Sequence, residues 1–209
     1  MAAKQGSANM AVVSKVYCST CDEILVVRRR PNVTNGGGFV VADDGQRLVF
    51  SVDGCGVIGR KHELFVRDGN GNPLLLIRRK QGGIVEALSF TKQWKGFKYD
   101  FLGSEKLVFA LNEHNSCFTS NNPIRIFVKS KERCDYGYFD VRGDFPGRCC
   151  SIVNPKGDAI AQIGVEEEVQ QVMRSRDLYH VQIKAGIDQA FIFGVIAVLD
   201  YIYDGSTRC

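Results

Sequence analysis

The chain has 209 residues, of which 44% are hydrophobic and 24% are charged. This length and composition predict one ordinary globular domain with a sizeable core. The net charge of +4 is too small to indicate a nucleic-acid partner by itself. Residues 1–101 carry 15 basic and 9 acidic residues, so the positive excess lies in the first half and permits an anionic partner there.

The N-terminal stretch MAAKQGSANM lacks the apolar region of a secretory signal, and Ala2 excludes myristoylation. Near the other end, Ser206 stands where a prenylated cysteine would be needed. The expected location is therefore intracellular: in the cytoplasm, peripherally at the plasma membrane, or in the nucleus. Residues 1–10 are small and polar and are predicted to be a disordered tail, and residues 11–209 a single domain.

The eight cysteines should mostly be thiols in a reducing compartment. Cys18 and Cys21 form one half of a metal-binding spacing, and Cys149 and Cys150 are a second clustered pair. A metal or disulfide role for these four stays open as the alternative, but no metal and no cofactor are predicted.

Turn-forming residues separate short apolar runs along most of the chain, which predicts β-hairpins, because Asp, Asn and Gly supply the positive φ angles of tight turns. Three hairpins are predicted, which pair residues 39–42 with 47–52, 63–66 with 74–78, and 150–153 with 159–163. The other predicted strands are residues 24–28, 97–102, 106–112, 124–129, 136–142 and 178–184. Residues 166–173 are assigned as strand, with a helical turn as the alternative on propensity.

The stretch GIDQAFIFGVIAVLDYIYD, residues 186–204, is the most apolar part of the chain. A membrane-spanning helix needs about 20 apolar residues. Eleven residues separate Asp188 from Asp200, and they would cover only about 16 Å of a hydrocarbon core of about 30 Å. This helix has no polar stripe along its middle, so other parts of the chain must surround it. The predicted fold is mainly β: a closed antiparallel barrel of about 12 strands enclosing a hydrophobic C-terminal helix.

Two sequence motifs resemble ligand-binding sites, but the residues around each motif argue against ligand binding. Residues 54–59 match G-x-G-x-x-G, but the next predicted element is a strand, whereas a dinucleotide site needs a helix there. Asp68 opens a stretch that resembles a calcium loop, but Pro73 and Arg79 stand at the positions that require Gly and Glu. An inter-strand loop and a hairpin turn are the predicted structures.

Basic residues occur in three clusters that could bind anionic lipid or phosphate, because guanidinium groups suit phosphate oxygens and cations with aromatics suit a membrane interface. The third cluster is interleaved with Trp94, Phe97 and Tyr99. The alternative is that they are solvated strand ends. The nine candidates are Arg28, Arg29, Arg30, Arg78, Arg79, Lys80, Lys92, Lys95 and Lys98.

Several segments, in order and spacing over nearly the whole chain, resemble the plant LURP-one-related (LOR) family. An early Tyr17-Cys18 also resembles the family signature, although a proline-containing stretch usual after it is missing. The matching segments are Gly38 to Gly45, Leu64 to Lys80 with the pattern L-x-x-x-D-x-x-G-x-P-L-L-x-I-R-R-K, Trp94-x-x-Phe97, Gly143-Asp144-Phe145, Asp188-x-Ala190-Phe191-Ile192 and Leu199-Asp200.

The resemblance implies a tubby-like fold, shared with tubby C-terminal domains and phospholipid scramblases, in which a barrel is threaded by a hydrophobic helix. Tubby domains bind phosphoinositides as membrane-tethered transcription regulators, and founding LOR members are linked to plant pathogen defence. The resemblance brings no catalytic residues.

The predicted function is accordingly that of a non-enzymatic intracellular protein, which docks through its basic half to an anionic membrane lipid such as a phosphoinositide, or to a protein partner. No transmembrane span is predicted. One rival is a lipid-moving protein like the scramblases, which would need a path across the membrane that the short helix does not provide. The other is an enzyme with a site in the barrel mouth, near His62 or His114 and a carboxylate.

Overall fold

The computed structural model describes residues 10–30, 37–54, 62–80, 91–99, 103–114, 124–129, 136–164, 177–203 and 206–208. These residues form a closed antiparallel barrel of twelve strands and one C-terminal α-helix. The strands are β1 Glu23–Arg30, β2 Gly38–Ala42, β3 Leu48–Asp53, β4 Glu63–Asp68, β5 Pro73–Arg79, β6 Thr91–Tyr99, β7 Glu105–His114, β8 Ile124–Lys129, β9 Tyr136–Asp144, β10 Cys149–Val153, β11 Ala159–Gly164 and β12 Leu178–Ile183; the helix is α1 Gln189–Tyr203.

Each strand pairs with the next one in the chain, and β12 pairs with β1 to close the barrel. The closing register places Val26 opposite His180. Side chains alternate between the two faces, so that β12 buries Tyr179, Val181 and Ile183 while His180 and Gln182 lie on the outer face. This closure leaves no sheet edge for another chain to extend.

Helix α1 lies inside the barrel, and every residue from Gln189 to Tyr201 is buried. Its aromatic side chains contact rings that point inward from the strands. The ring centroids are 5.3 Å apart for Phe193 and Phe50, 5.7 Å apart for Phe191 and Phe109, and 4.6 Å apart for Tyr201 and Trp94. Burial of each large apolar side chain contributes about 1.5–3 kcal/mol. The prediction that the barrel surrounds this helix is confirmed.

Residues 10–18, which we call the strap, cross the end of the barrel where α1 begins. The backbone N–H groups of Val12, Val13 and Ser14 donate to Oδ2 of Asp188, at 3.0, 2.6 and 2.9 Å. Oδ1 of the same carboxylate accepts from the Phe191 N–H at 3.3 Å, so Asp188 also caps the helix. One buried side chain thus fastens both the strap and the first helical turn.

The three predicted hairpins are confirmed, within two residues at the ends of their strands. The prediction of a strand over residues 97–102 was wrong at its start, because β6 begins at Thr91. Its inward positions include Trp94 and Gly96, and a glycine between lysines hides the alternation that marks a strand. Residues 100–102 and the predicted element 166–173 lie outside the described residues.

The glycine-rich motif lies largely outside the described residues, which resume at His62 and enter strand β4 rather than a helix. At Asp68 the structure shows a hairpin turn, in which the carboxylate accepts from the backbone N–H groups of Asn70 and Asn72 at 3.0 and 2.8 Å. In the described part of the chain, no helix combines the length and hydropathy needed to span a bilayer.

Candidate functional site

The first predicted triplet is divided between the two faces of β1. Arg29 points into the barrel, where its Nε lies 3.1 Å from Oδ1 of the fully buried Asp200. Arg30 points outward and binds Asp53 at 2.9 Å, a carboxylate that also pairs with Arg67. Arg28 is exposed and has no side-chain partner among the described residues. Of the three cations, only Arg28 is open to an external anion.

The second triplet follows the same pattern on β5. Arg78 points outward and binds Glu63 at 2.9 Å and Glu105 at 2.7 Å. Burial lowers the pKa of the Arg78 guanidinium, but Glu105 and Glu63 together outweigh this effect, so the pKa lies above its ordinary value. Arg79 points inward, and its Nη2 lies 3.3 Å from Nε2 of His62. Lys80 is exposed at the end of the strand.

Arg29 and Arg79 meet the same end of the helix, because β1 and β5 run in the same direction around the barrel. The Asp200 carboxylate also accepts from the Ser206 hydroxyl and, at 3.0 Å, from the Thr207 N–H. His62 in turn bonds the Tyr201 hydroxyl at 2.5 Å. Positive charge at a helix C-terminus is stabilising, so both inward arginines have a role in holding α1.

The third cluster lies on β6. Lys95 is on the outer face, half-buried, and has no side-chain partner within the described residues. Lys98 reaches the end of the barrel and donates from Nζ to the Val13 carbonyl of the strap at 2.6 Å. Lys92 lies in the same strand. The structure therefore does not unite the nine candidates in one patch, because β1 and β6 are separated by four strands in one direction and six in the other.

A different group of residues lies at the end of the barrel that the strap covers. We call it the strap surface and define it as Lys15, Val16, Lys98, Tyr99 and Lys106. Val16 lies in the short turn Lys15–Tyr17 and is 83% exposed, and Tyr99 is 40% exposed. The bond from Lys98 to Val13 brings the end of β6 against the strap. An aliphatic side chain, an aromatic ring and three amines therefore occur at this end of the barrel.

The lysines of this surface concentrate positive charge at one end of the barrel. Lys98 and Lys106 are directly opposite in the β6–β7 ladder, an arrangement of like charges that is unfavourable in the free protein. Lys15 and Lys106 are exposed and have no carboxylate partner in the described ranges. An anion placed there would relieve the repulsion, so this surface is suited to bind one.

The buried carboxylate beneath the strap does not cancel these charges at the surface. Burial raises the pKa of Asp188 above its ordinary value, although the backbone N–H groups of Ser14, Val13, Phe191 and Val12 lower it. Its oxygens already accept those four donors. The carboxylate is therefore committed to the strap and the helix.

The two histidines of the enzyme hypothesis have different surroundings. His62 is half-buried and bonded to Arg79 and Tyr201. His114 is the last residue of β7. Across the described residues, no three His, Cys, Asp or Glu side chains lie close enough together to hold a metal ion. Cys18, Cys21, Cys149 and Cys150 are free thiols.

Lys15, Val16 and Lys106 were not among the candidates predicted from the sequence. The signal for Val16 was present, because it is an apolar residue in a turn between Lys15 and the aromatic Tyr17. Lys106 had no comparable signal, since only strand pairing places it beside Lys98.

The structure defines a class of proteins in which a closed antiparallel barrel buries its own C-terminal helix. The family model described as LURP-one-related matches residues 23–200. This chain belongs to the LURP-one-related family.

Two relatives from Arabidopsis thaliana show how far the similarity extends. Protein LURP-one-related 6 is 55% identical over 95% of this chain and 99% of its own length. Protein LURP-one-related 16 is 45% identical over all of both chains. An X-ray structure of another A. thaliana protein matches 92% of this chain and 98% of its own, with a TM-score of 0.61 and 20% identity. That structure supports the barrel fold alone.

Proposed function

We propose that this LURP-one-related protein is a non-enzymatic protein that docks peripherally on anionic membrane lipid, including phosphoinositides, through the strap surface. The observation that carries the proposal is the exposure of Val16 at 83% next to Lys15, at the end of the barrel where Lys98 and Lys106 lie opposite each other on β6 and β7. An exposed aliphatic side chain inserts among lipid headgroups, and neighbouring amines attract the anionic phosphates.

The buried helix restricts how such docking could occur. The apolar residues of α1 are enclosed by the barrel, so membrane contact must use side chains on the outside. Tyr99 supports the same orientation, because an amphipathic aromatic ring is favoured at the headgroup level. Docking on this end would place the helix N-terminus and its strap next to the membrane.

The expected affinity is modest. A lysine near an anionic surface contributes about 1 kcal/mol, and insertion of one Val side chain adds about 1.5–3 kcal/mol at most. A few such groups give reversible binding that weakens as salt screens the charges. This is the behaviour expected of a regulator that is held at a membrane and released.

Liposome co-sedimentation tests the proposal, with vesicles of phosphatidylcholine alone and vesicles that also contain phosphatidylserine or a phosphoinositide. We expect binding only to the anionic vesicles. The double substitution K15Q/K106Q should weaken that binding about 30-fold, since it removes two lysines at about 1 kcal/mol each. Val16→Asp should reduce it further by opposing both insertion and charge attraction.

Arg28→Gln is the matched control, because Arg28 is exposed on β1 near the end of the barrel where α1 ends, opposite the strap surface, and the substitution removes the same charge. It also tests the exposed cation of the first triplet. Equal loss in R28Q and in K15Q or K106Q would mean that net charge alone drives binding and would contradict the proposed surface. Equally weak binding of wild-type protein to all vesicles would contradict docking itself.

The non-enzymatic part of the proposal is supported by the use of His62 in structural bonds to Arg79 and Tyr201. The regulatory part, with a role in plant defence, follows the resemblance to LURP-one-related and tubby-like proteins. Release from the membrane by salt or by dephosphorylation of the lipid would be the regulated step. Imaging a fluorescent fusion of wild type and of V16D in plant cells, before and after pathogen challenge, tests this part.

A further inference from the structure

A groove of about 740 Å³ lies on the outer face of strands β9 to β12 and β1, away from the strap surface. Its walls are side chains that are cross-strand neighbours. One row runs across five strands, in which each residue is paired with the next: Arg142, Ser151, Gln162, Gln182 and Ile24. The register of the closed barrel therefore builds most of the groove, and Gly147 and Arg148 of the β9–β10 turn line one end of it.

A parallel row contains the gap that makes the surface concave. Gly164 lies between Cys149 and His180 at the edge of the row. A Cβ atom at Gly164 would meet nothing closer than the Arg148 carbonyl oxygen, at 4.0 Å. Because Gly164 has no side chain, the groove is open at this position. A larger residue in place of Gly164 would fill the groove without a clash with the backbone.

The lining combines apolar side chains and glycines with a row of polar side chains, and it contains no carboxylate among the described residues. Arg142 is exposed and offers a planar guanidinium, while Ser151, Gln162 and Gln182 can each donate and accept hydrogen bonds. None of these four side chains has a hydrogen-bond partner in the described part of the protein. Nδ1 of His180 is buried and also lacks a partner there.

The hydrogen-bonding groups of the groove favour a ligand that carries both a phosphate and hydroxyl groups. Guanidinium groups bind phosphate oxygens through paired hydrogen bonds, and a row of amide and hydroxyl groups matches the hydroxyls of a sugar or polyol ring. Arg142 and Gln182 are three strand spacings apart, about 14 Å along the sheet, which is enough for a phosphate and one ring. A divalent cation is disfavoured, because the lining offers no carboxylate.

We propose that this groove binds a phosphorylated sugar or polyol, with the phosphate on Arg142 and the ring hydroxyls on Ser151, Gln162 and Gln182. The ligand is either a soluble molecule or the headgroup of a lipid, since both present the same phosphate and hydroxyl groups. The site is independent of docking by the strap surface.

Titration calorimetry and amide NMR shifts test the soluble ligands, with glucose 6-phosphate, inositol 1-phosphate and inorganic phosphate as probes and unphosphorylated glucose as the neutral comparison. We expect saturable binding of at least one of the two phosphorylated rings, at least tenfold stronger than glucose. The shifted amides should be those of residues 149–151, 162–164 and 180–182. A second arm uses vesicles with and without a phosphorylated inositol lipid.

Three variants identify the site. Arg142→Gln should weaken binding of the phosphorylated ring at least tenfold, and Gly164→Val should abolish it while the thermal midpoint stays close to that of wild type. Lys129→Gln should bind as wild type does. If R142Q and G164V lose the soluble ring, the ligand is soluble. If no soluble ring binds, and the two variants bind phosphorylated-lipid vesicles more weakly than wild type but phosphatidylserine vesicles equally well, the ligand is a headgroup.

The proposal is overturned if no phosphorylated ring binds in either arm, or if R142Q and G164V bind as tightly as wild type. Failure of the strap surface gives a different pattern. In that case K15Q/K106Q binds anionic vesicles like wild type, whatever the groove variants do.

Discussion

Arg28, Arg29 and Arg30 are consecutive in the chain and have three different surroundings. Alternation along β1 turns Arg29 into the barrel and its two neighbours outward, and only Arg30 of those two meets a carboxylate. Burying a charged side chain inside a protein costs free energy unless a partner of opposite charge compensates it. The face of the strand on which an arginine lies therefore determines whether it is buried with a carboxylate or exposed to solvent.

The pair formed by Arg29 and Asp200 gives a direct test of this point. Replacement Arg29→Met leaves the fully buried Asp200 without its cation, and we expect the free energy of unfolding to fall by about 3 kcal/mol, toward the lower end for such pairs because Ser206 and Thr207 still donate. Urea denaturation followed by tryptophan fluorescence measures it.

Arg28→Met is the matched control, since Arg28 is exposed on the same strand, and it should change the free energy of unfolding by less than about 0.5 kcal/mol. Equal midpoints for the two variants would show that the buried pair contributes no net stability.

The adjacent cysteines on β10 should differ in reactivity. Burial raises the pKa of the Cys150 thiol to about 12, so at pH 8 it is almost entirely protonated, whereas Cys149 is exposed. Iodoacetamide should modify Cys149 and spare Cys150 until the protein is unfolded. Mass spectrometry with fragmentation of the peptide that holds both residues locates the label, and equal labelling of the two in native protein would contradict the burial.

The same shift has a consequence for stability. The unfolded chain releases the Cys150 proton near the ordinary thiol pKa of 9.0, while the folded protein retains it to about 12. The folded state therefore binds more protons between these values, and this group lowers stability as the pH rises through that window. The stability that comes from keeping the Cys150 thiol protonated in the folded protein is fully present below pH 9.

At the scale of a single element, β6 shows how one glycine shapes the core. Gly96 points inward opposite Phe109, whose ring packs against Phe191 of α1. A Cβ atom at Gly96 would lie only 2.2 Å from that ring. The close approach requires glycine, and it allows the aromatic ring of β7 to reach the helix.

Gly96→Ala should destabilise the protein by about 1–3 kcal/mol, because the core must shift to accept the methyl group. Gly137→Ala on β9 is the control, since a Cβ there meets nothing within 4 Å. Thermal unfolding monitored by circular dichroism compares the two. If the double variant G96A/F109L recovers part of the lost stability, the clash with the ring is the cause; a G96A midpoint equal to that of G137A would contradict it.

At the scale of the whole molecule, the barrel and α1 are one cooperative unit. The helix has no exposed face between Gln189 and Tyr201, and twelve strands pair around it without an edge. Exposing the helix requires separation of strands that are held by neighbours on both sides. Its opening should therefore coincide with global unfolding.

Hydrogen exchange measured by mass spectrometry tests this cooperativity. The α1 amides should exchange only at the rate of global unfolding and should be the slowest in the chain. The exposed turn between β2 and β3, at Asp43 to Arg47, should exchange quickly and serves as the internal reference. Exchange of α1 that is faster than that of the central strands would show that the helix leaves the barrel locally.

Much of the fold could be predicted from local features. Tight-turn residues and alternating apolar residues located the hairpins, and the length and uniform apolarity of residues 186–204 required a surrounding wall. The start of β6 could not be read in this way, because Gly96 and the flanking lysines imitate a loop. Its strand character comes from pairing with β5 and β7.

The candidate site was less accessible to the sequence. Basic triplets indicated an anion-binding surface, yet Arg29, Arg30 and Arg78 are paired within the molecule. Their partners are Asp200, Asp53, Glu63 and Glu105. The strap surface combines residues from the strap, β6 and β7, and the outer groove combines five strands. No short segment contains either arrangement.

The amino-acid sequence alone determined that this protein is a barrel with a buried helix, because strand periodicity, turn chemistry and the hydrophobic effect act over short stretches of chain. Tertiary structure decided which cations are neutralised and which outer positions become neighbours. A cation is neutralised by carboxylates that are far away in the chain. Outer side chains become neighbours through the register in which the twelve strands pair. Neither property can therefore be predicted from one segment of sequence.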